Sequence, residues 1–222
     1  MFFLSKTRLF YGIKPDEIKT VLTCLQSVEK KFKRKEIIFR EGTAIKEIGL
    51  VKEGSVNIVE YDYWGNKSIL GNITAGDVFG LSYASNPDTQ LQGDIVANDD
   101  CTVLFLHIEK ILTVCSNSCP HHTKLIHNLF AISASKTLAI RQRMKHISGK
   151  TIRNRLISYL SEEAFKQKSP QFTVPFNRQQ LAEYLEVDRS ALSNELAKMQ
   201  KDGLLVYEKN TFTLKNNIYD GN

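Results

Sequence analysis

The sequence lacks any long uninterrupted apolar run. No segment reaches the roughly 18 consecutive apolar residues that a membrane-spanning helix needs. The apolar residues at the start are followed directly by Lys6 and Arg8, which is not the order of a secretory signal. We therefore expect a cytoplasmic protein with no membrane segment.

Cysteine is scarce, with four residues in a chain of 222. So few cysteines do not build a disulfide framework, and a reducing compartment is expected. Clustered cysteines in such a compartment more often bind metal or take part in redox chemistry. Cys24 stands among apolar residues of a helix predicted over residues 6–28, and we expect it to be a small buried thiol.

Common enzyme motifs are absent as well. The chain has no nucleophile elbow, no glycine-rich phosphate loop with lysine and no paired-histidine zinc helix. Its acidic residues are scattered without an evident acid–base pair. We therefore predict a protein that is not an enzyme.

Short strands dominate the first half of the chain. Apolar runs are separated by glycines and by turn pairs such as Gly65-Asn66, a pattern typical of a β-barrel or jelly roll. The basic cluster at residues 30–35 is expected to be a solvated loop. The candidate strands span residues 36–39, 47–52, 54–61, 67–73, 93–97 and 101–106.

Residues 176–205 have the pattern of a helix, a tight turn and a second helix. Asn177 and Asp188 are side chains that cap helix N-termini, and Gly203 suits the end of the second helix. The second helix would bury an apolar face that contains Leu192. Its opposite face would present small polar groups, one arginine and one asparagine.

That polar face has the chemistry of base recognition, because arginine can form two hydrogen bonds with guanine and asparagine two with adenine. We expect Arg189, Ser190 and Asn194 to contact bases, as a recognition helix does in a major groove. An ordinary helical hairpin with a solvated face is the alternative. Contacts that position the DNA backbone are expected from Arg178, Gln179 and Lys201.

A long helix is predicted from Pro120 to about His146. Its apolar residues cover more than one face, so a single docking surface would not be enough. Every charged residue between positions 121 and 155 is basic, which favours a nearby polyanion or else a solvated helix face. The net charge of +6 permits a polyanionic partner without proving one. A further helix over residues 151–166 is expected to bury Leu156, Ile157, Leu160 and Phe165.

Cysteines and histidines gather at residues 107–122. Cys115 and Cys119 lie four residues apart, and His122 follows three residues later. These ligand types suit a metal ion, haem or an iron–sulfur cluster, with a further ligand from elsewhere. The alternatives are a thiol switch between the two cysteines or simple packing at a helix end.

Two stretches of the first half resemble the effector-binding β-roll of the Crp/Fnr superfamily of bacterial transcription regulators. They are KEIIFREGTAIKEIGLVKEGSVNIVE and ITAGDVFGLSYA, with landmarks at Gly42, Gly54 and residues 76–80. The helix-turn-helix has the order and spacing of the same superfamily, and KMQKDGLLVYEKNTFTL corresponds to its small wing. The resemblance spans about residues 32–214.

The resemblance implies an α+β protein in three parts. These are a β-roll sensor domain of the double-stranded β-helix or jelly-roll type (1–119), a dimerisation helix and hinge (120–147), and a winged helix-turn-helix DNA-binding domain (148–222). The family forms homodimers through the long helix, which would set two recognition helices about 34 Å apart on a pseudo-palindromic operator in double-stranded DNA. RNA polymerase is a further expected partner if the protein is an activator.

The sequence departs from the family at the cyclic nucleotide site. Cyclic-AMP-binding members have a glutamate after Gly-Asp-x-x-Gly and an Arg-Ser/Thr pair for the phosphate. Here those positions are Leu81 and Leu91-Gln92, and residues 81–96 contain no arginine or lysine. An unpaired buried phosphate would cost roughly several kcal/mol, so cyclic AMP is not expected. Leu81, Ser82, Leu91 and Gln92 could line a pocket for a less charged ligand, or side chains could fill that space.

The sequence therefore predicts a DNA-binding transcription regulator. Its effector would be a small molecule other than cyclic AMP, or a metal or redox signal at Cys115 and Cys119. The alternative is a ligand-binding interaction module whose C-terminal helical hairpin docks protein rather than DNA.

Overall fold

The structure, a computed structural model, describes residues 2–65, 67–86, 88–113 and 120–215. The chain divides into two compact units, Met1–Ser135 and Lys136–Asn222. No helix among the described residues is long and apolar enough to cross a membrane. Each unit has its own hydrophobic core.

Within the described residues, the first unit is built on eight short strands and four short helices. The strands are β1 (Val28–Phe32), β2 (Ile37–Phe39), β3 (Glu47–Glu53), β4 (Ser55–Tyr61), β5 (Lys67–Thr74), β6 (Val78–Phe79), β7 (Asp94–Ala97) and β8 (Cys101–His107). They form two antiparallel sheets, with the orders β1-β8-β3-β6 and β2-β7-β4-β5. The helices are α1 (Phe2–Ser5), α2 (Pro15–Cys24), α3 (Leu81–Ala84) and α4 (Ile108–Leu112).

Three aromatic rings lie together in the core of the first unit. The Phe39 and Phe105 rings meet edge to face at 5.6 Å, and the Phe79 ring lies 6.4 Å from each of them. Such pairs add about 0.5–1.5 kcal/mol beyond the area they bury. Gly49 in β3 makes room for this cluster, because a Cβ there would lie 2.1 Å from the Phe79 ring.

The long helix α5 (Pro120–Ile147) begins in the first unit and ends in the second. Its first turns bury Leu125, Leu129 and Ile132 in the core of the first unit. On the same face the Asn128 amide donates to the carbonyl oxygens of Leu9 and Tyr11, both at 2.9 Å. This part of α5 is therefore fixed to the N-terminal segment by apolar packing and by a buried amide.

Over its described residues, the second unit contains three helices after α5 and a three-stranded antiparallel sheet of order β10 (Leu205–Glu208), β11 (Thr211–Leu214) and β9 (Gln171–Thr173). Its elements after α5 are α6 (Ile152–Gln167), β9 (Gln171–Thr173), α7 (Arg178–Tyr184), α8 (Arg189–Lys201), β10 (Leu205–Glu208) and β11 (Thr211–Leu214). Helices α6, α7 and α8 contribute Leu156, Leu181 and Leu192 to one core, which β11 closes with Phe212. This architecture confirms the predicted α+β class.

Two expectations about helices are wrong. The N-terminal helix does not span residues 6–28, because Gly12 turns the chain at a φ of 77° and α2 begins only at Pro15, where proline suits a first turn. In α6, Ile157 and Phe165 are 43% and 83% exposed rather than buried. Tyr159 takes the inward position between Leu156 and Leu160 instead.

The basic cluster at residues 30–35 is partly a strand rather than a loop. Lys30 and Lys31 belong to β1 and pair with Val103 and Thr102 of β8. Strand β1 lies at the edge of its sheet, where exposed lysines discourage pairing with other chains. The charged composition did not indicate this strand, because the strand joins the sheet through its backbone while its lysine side chains are exposed.

We predict that Gly49→Ala destabilises the first unit by about 1–3 kcal/mol, because an added methyl group would displace Phe79 from the ring cluster. Gly71→Ala is the matched control, since nothing lies within 4 Å of a Cβ there. Urea unfolding followed by circular dichroism measures both variants. Equal midpoints for the two would contradict this account of Gly49.

Candidate functional site

Each helix of the helix-turn-helix begins at a residue whose side chain caps it through a local hydrogen bond. The Asn177 side chain accepts from the Gln180 amide, and the Gln180 side chain accepts from the Asn177 amide, both at 2.9 Å. The Asp188 carboxylate accepts from the Ala191 amide at 2.9 Å and begins α8. Such caps contribute about 1 kcal/mol each. Both confirm the predicted helix starts.

Two arginines from outside the motif hold the turn between α7 and α8. Arg143 of α5 donates to the carbonyl oxygens of the last two residues of α7, at 3.1 and 3.3 Å. Arg155 of α6 donates to the carbonyl oxygens of Leu185 and Glu186, at 2.8 and 3.0 Å. The last carbonyls of a helix have no partner within it, and cations are favourable there. These contacts fix where α7 ends and hold Glu186 in its left-handed conformation, with φ 54°.

A third arginine orients α8. Arg153 of α6 donates from Nε to Glu195 at 2.6 Å and from Nη2 to Asp202 at 2.7 Å. These two hydrogen-bonded partners raise the pKa of the Arg153 guanidinium. The two carboxylates lie in the middle and just beyond the end of α8, so the contact restrains the direction of that helix. Arg143, Arg153 and Arg155 therefore bind acceptors of their own chain.

His146 fixes the end of α5 inside the second unit. Its side chain is 1% exposed, with Nε2 2.9 Å from Glu162 Oε2 and Nδ1 3.0 Å from the Tyr184 hydroxyl. Lys166 also binds the Glu162 carboxylate, at 2.9 Å. Burial by itself would raise the pKa of Glu162, but the hydrogen bonds from Lys166 and His146 outweigh it and lower the pKa. The partly buried carboxylate thus stays charged at neutral pH and joins α5 to α6, while the tyrosine joins α5 to α7.

The expected base-reading residues lie on the exposed side of α8. Arg189, Ser190 and Asn194 are all exposed, and so is Lys201 at the end of the helix. The opposite side is buried, with Leu192, Leu196 and Met199 at 0–2% exposure. Helix α8 therefore presents a polar surface while its apolar side is anchored in the core.

Two of the residues expected to position DNA are already engaged within the chain. The Arg178 guanidinium lies over the ring of Tyr207, 5.0 Å from its centre, and donates to the Lys209 carbonyl at 3.0 Å. Burial lowers the pKa of Arg178. Gln179 donates to Glu183 at 2.8 Å. Arg178 thus attaches the β10–β11 wing to the first turn of α7, which sequence reasoning missed because the two are 31 residues apart.

The expected effector-pocket residues have different surroundings in the first unit. Leu91 is 4% exposed in the core, where its carbonyl accepts from the Gly42 amide at 2.8 Å. Leu81 is partly buried and packs against the same core. Ser82 and Gln92 are exposed. The position expected for the phosphate-binding arginine therefore carries an apolar side chain that is part of the core.

The thiol and imidazole groups are only partly described. Cys115 and Cys119 lie outside the described residues, whereas His122, in the first turn of α5, is 2% exposed. Cys24 was expected to be buried, but it is exposed at the last position of α2, because Val21 and Leu25 take the inward positions. Its Sγ lies 3.9 Å from His122 Nε2. Within the described ranges, no group of three or more His, Cys, Asp or Glu side chains is arranged to hold a metal ion.

Comparisons with known proteins define the class. Residues 29–118 match the family model of the cyclic nucleotide-binding domain, and residues 154–216 match that of the Crp-like helix-turn-helix domain. A sensor-type β-roll followed by this DNA-binding domain is the arrangement of a Crp-like regulator. The chain belongs to the Crp/Fnr family of transcription regulators.

Similar proteins agree with this assignment. Electron transport regulator A of Shewanella oneidensis is 22% identical over 184 residues, which are 80% of this chain and 70% of the relative. The Thermus thermophilus catabolite activator protein is 21% identical with a TM-score of 0.54, and 94% of each chain is covered. The c-di-GMP-responsive global regulator CLP of Xanthomonas campestris is 18% identical with a TM-score of 0.56, covering 92% of this chain and all of the other. At these identities the solved structures show the fold alone.

We predict that the second unit loses stability on acidification through Glu162. Its pKa is lower in the folded chain than the ordinary 4.5, so the unfolded chain binds the proton more readily. The resulting stability is present above about pH 4.5 and is lost as the pH falls through the folded pKa. Glu162→Gln should remove this part of the acid dependence and cost about 1–3 kcal/mol at neutral pH, where a charged hydrogen-bond acceptor is lost.

Urea unfolding at several pH values measures this dependence, with Glu208→Gln in the exposed wing as the control. The control should keep the acid dependence of the unaltered chain. If Glu162→Gln kept it too, the assignment to Glu162 would be wrong.

Proposed function

We propose that this protein is a homodimeric regulator that reads a specific DNA sequence with α8 and responds to an effector other than cyclic AMP. The observation that carries the proposal is the exposed polar face of α8, which is held in place by the caps and by the arginines that bind α7 and α8. Base recognition requires side chains on a rigid element, because small displacements remove directed hydrogen bonds. Here the capping side chains within the motif and the arginines outside it supply that rigidity.

In this proposal Arg189, Ser190 and Asn194 contact base edges in the major groove. Lys201 and Gln179 contact the phosphate backbone, which contributes affinity without sequence information. Arg178 acts mainly through the wing, because its guanidinium is engaged with Tyr207 and the Lys209 carbonyl. At least four of the basic residues between positions 121 and 155 are likewise engaged within the chain.

A second copy of the chain is the proposed partner along α5. Four large apolar side chains of this helix are 61–74% exposed, and they are Phe130, Leu138, Ile140 and Met144. Exposed apolar side chains that recur along one helix favour pairing with another helix. Two copies would place two recognition helices about 34 Å apart, one turn of DNA, on a pseudo-palindromic operator. If the protein is an activator, RNA polymerase would be an additional partner. The protein would act in the cytoplasm.

The proposed effector carries little or no phosphate charge. Leu91 lies in the core where the family's cyclic-AMP-binding members have arginine, and a buried phosphate without a cation would be strongly unfavourable. A small molecule of low charge, or a metal or redox signal involving Cys115, Cys119 and His122, remains the proposal. The small molecule would contact Leu81, Ser82 or Gln92.

A protein-docking role for the C-terminal unit is the second candidate. It is favoured by an apolar cleft of about 610 Å³ between α6 and the end of β11, lined by Ile157, Phe165 and Leu204. DNA and protein partners differ in their response to salt. A protein that binds DNA displaces cations condensed on the duplex. Added salt opposes this displacement, so the affinity falls steeply as the salt concentration rises. A complex whose affinity barely changed with salt would favour the second candidate.

We predict that Arg189→Ala weakens binding to the operator by about 1–3 kcal/mol and relaxes selectivity at one base position. Arg189→Lys keeps the charge but cannot form the forked pair of hydrogen bonds, so it should lose selectivity while keeping more affinity. Mobility-shift titrations on the operator and on single-base variants measure both effects. Arg34→Ala, an exposed arginine of the first unit, is the control. Unchanged operator selectivity in Arg189→Ala would remove this residue from the base contacts.

We predict that Leu138→Asp with Met144→Asp converts the dimer into a monomer, because charge would replace exposed apolar surface on α5. Sedimentation velocity measures the mass, and operator affinity should fall with it. Phe165→Asp is the matched control, since Phe165 is 83% exposed but lies on α6. If that variant were the one to dissociate, the cleft beside α6 rather than α5 would form the interface.

A further inference from the structure

Cys24 and His122 form a thiol–imidazole pair that the sequence did not predict. They are 98 residues apart in the chain, yet Sγ and Nε2 lie 3.9 Å apart. Cys24 is exposed at the last position of α2, whereas His122 is buried in the first turn of α5. Contacts independent of this pair hold α5 to the segment just before α2. Lys124 Nζ donates to the Gly12 carbonyl at 2.7 Å, and the Asn128 amide donates to the carbonyl oxygens of Leu9 and Tyr11.

The separation of the two atoms suits a shared metal ion. Zinc binds cysteine sulfur at about 2.3 Å and histidine nitrogen at about 2.0–2.1 Å in tetrahedral geometry, which places the two ligand atoms about 3.6 Å apart. The observed 3.9 Å differs from that value by a few tenths of an ångström. The separation of the two atoms is therefore close to the one that a shared tetrahedral ion requires.

We propose that Cys24 and His122 are two ligands of a soft or borderline divalent cation of the zinc type. His122 binds as the neutral imidazole through Nε2. Cys24 binds as the thiolate, so each metal–sulfur bond that forms releases one proton from the thiol to water. No electron is transferred, and the charge at the pair rises by one. The exposed thiol gives the ion a route from solvent, while the buried imidazole fixes one coordination direction.

This inference adds Cys24 to the ligands expected from the sequence. Cys115 and Cys119 precede His122 by seven and three residues in the sequence, and they lie outside the described residues. The pair is argued from its own geometry and does not depend on them. A bound cation would join the end of α2 to the start of α5, the helix on which the proposed regulator dimerises. The regulatory consequence therefore rests on the proposed function, but the metal site does not.

The test is a titration of the purified full-length protein with Co²⁺ under anaerobic, reducing conditions. Cobalt takes tetrahedral zinc sites, and a bound thiolate gives a sulfur-to-cobalt charge-transfer absorption that oxygen or nitrogen ligands do not give. We expect this absorption to saturate at one Co²⁺ per chain and to be lost on adding excess Zn²⁺. Cys24→Ser should weaken Co²⁺ binding by more than about 100-fold, since even outer partners of metal ligands are worth about 10–100-fold. His122→Ala should do the same.

Two variants serve as matched controls. His127→Ala removes an exposed imidazole one turn further along α5, and Cys101→Ala removes a thiol of the core. Both should bind Co²⁺ as the unaltered chain does, and thermal unfolding checks that every variant is folded. A folded Cys24→Ser variant that kept the cobalt absorption and affinity would overturn the proposal. Cobalt binding is measured without DNA, so its failure would leave the proposed DNA binding standing, and failure to bind DNA would leave the metal site standing.

Discussion

The arrangement of the second unit depends on how helix α7 ends. The last carbonyls of any helix lack partners within it. Here one guanidinium group binds the last two carbonyls of α7, and a second binds the two carbonyls just beyond its end. Arg143 comes from α5 and Arg155 from α6, so three helices meet at one turn. The same contacts hold Glu186 in the left-handed region, which a residue with a side chain rarely occupies. Contacts from outside the motif therefore hold the turn between α7 and α8.

This use of arginine changes the meaning of the basic composition. Every charged residue between positions 121 and 155 is basic, which at first favours a broad surface for DNA. Yet Arg143, Arg153 and Arg155 satisfy carbonyls and carboxylates of their own chain. The guanidinium group suits these contacts, because it presents five hydrogen-bond donors in fixed directions. Part of the positive charge thus positions α7 and α8 within the chain.

Local signals made some features predictable and others not. The caps at Asn177 and Asp188 involve partners three residues away, so the sequence alone indicated where α7 and α8 begin. The contact between His146 and Tyr184 spans 38 residues, and no periodic pattern in the sequence indicates it. Cys24 was misjudged for a related reason, since apolar neighbours in the sequence do not show on which side of a helix a residue lies. The division into a strand-rich first half and a helix-turn-helix was predictable, because it rests on periodicity and turn residues.

The chain passes from the first unit to the second only within α5. The start of that helix contacts Cys24 through His122, and its end contacts Glu162 through His146. Leu91 lies in the core at the position expected for a phosphate-binding arginine, and its apolar side chain supplies no charge to compensate a phosphate. The cation proposed at Cys24 and His122 would bind at the start of α5 itself. It would act on the helix directly, by changing how firmly its first turn is held to α2 while leaving the core of the β-roll intact.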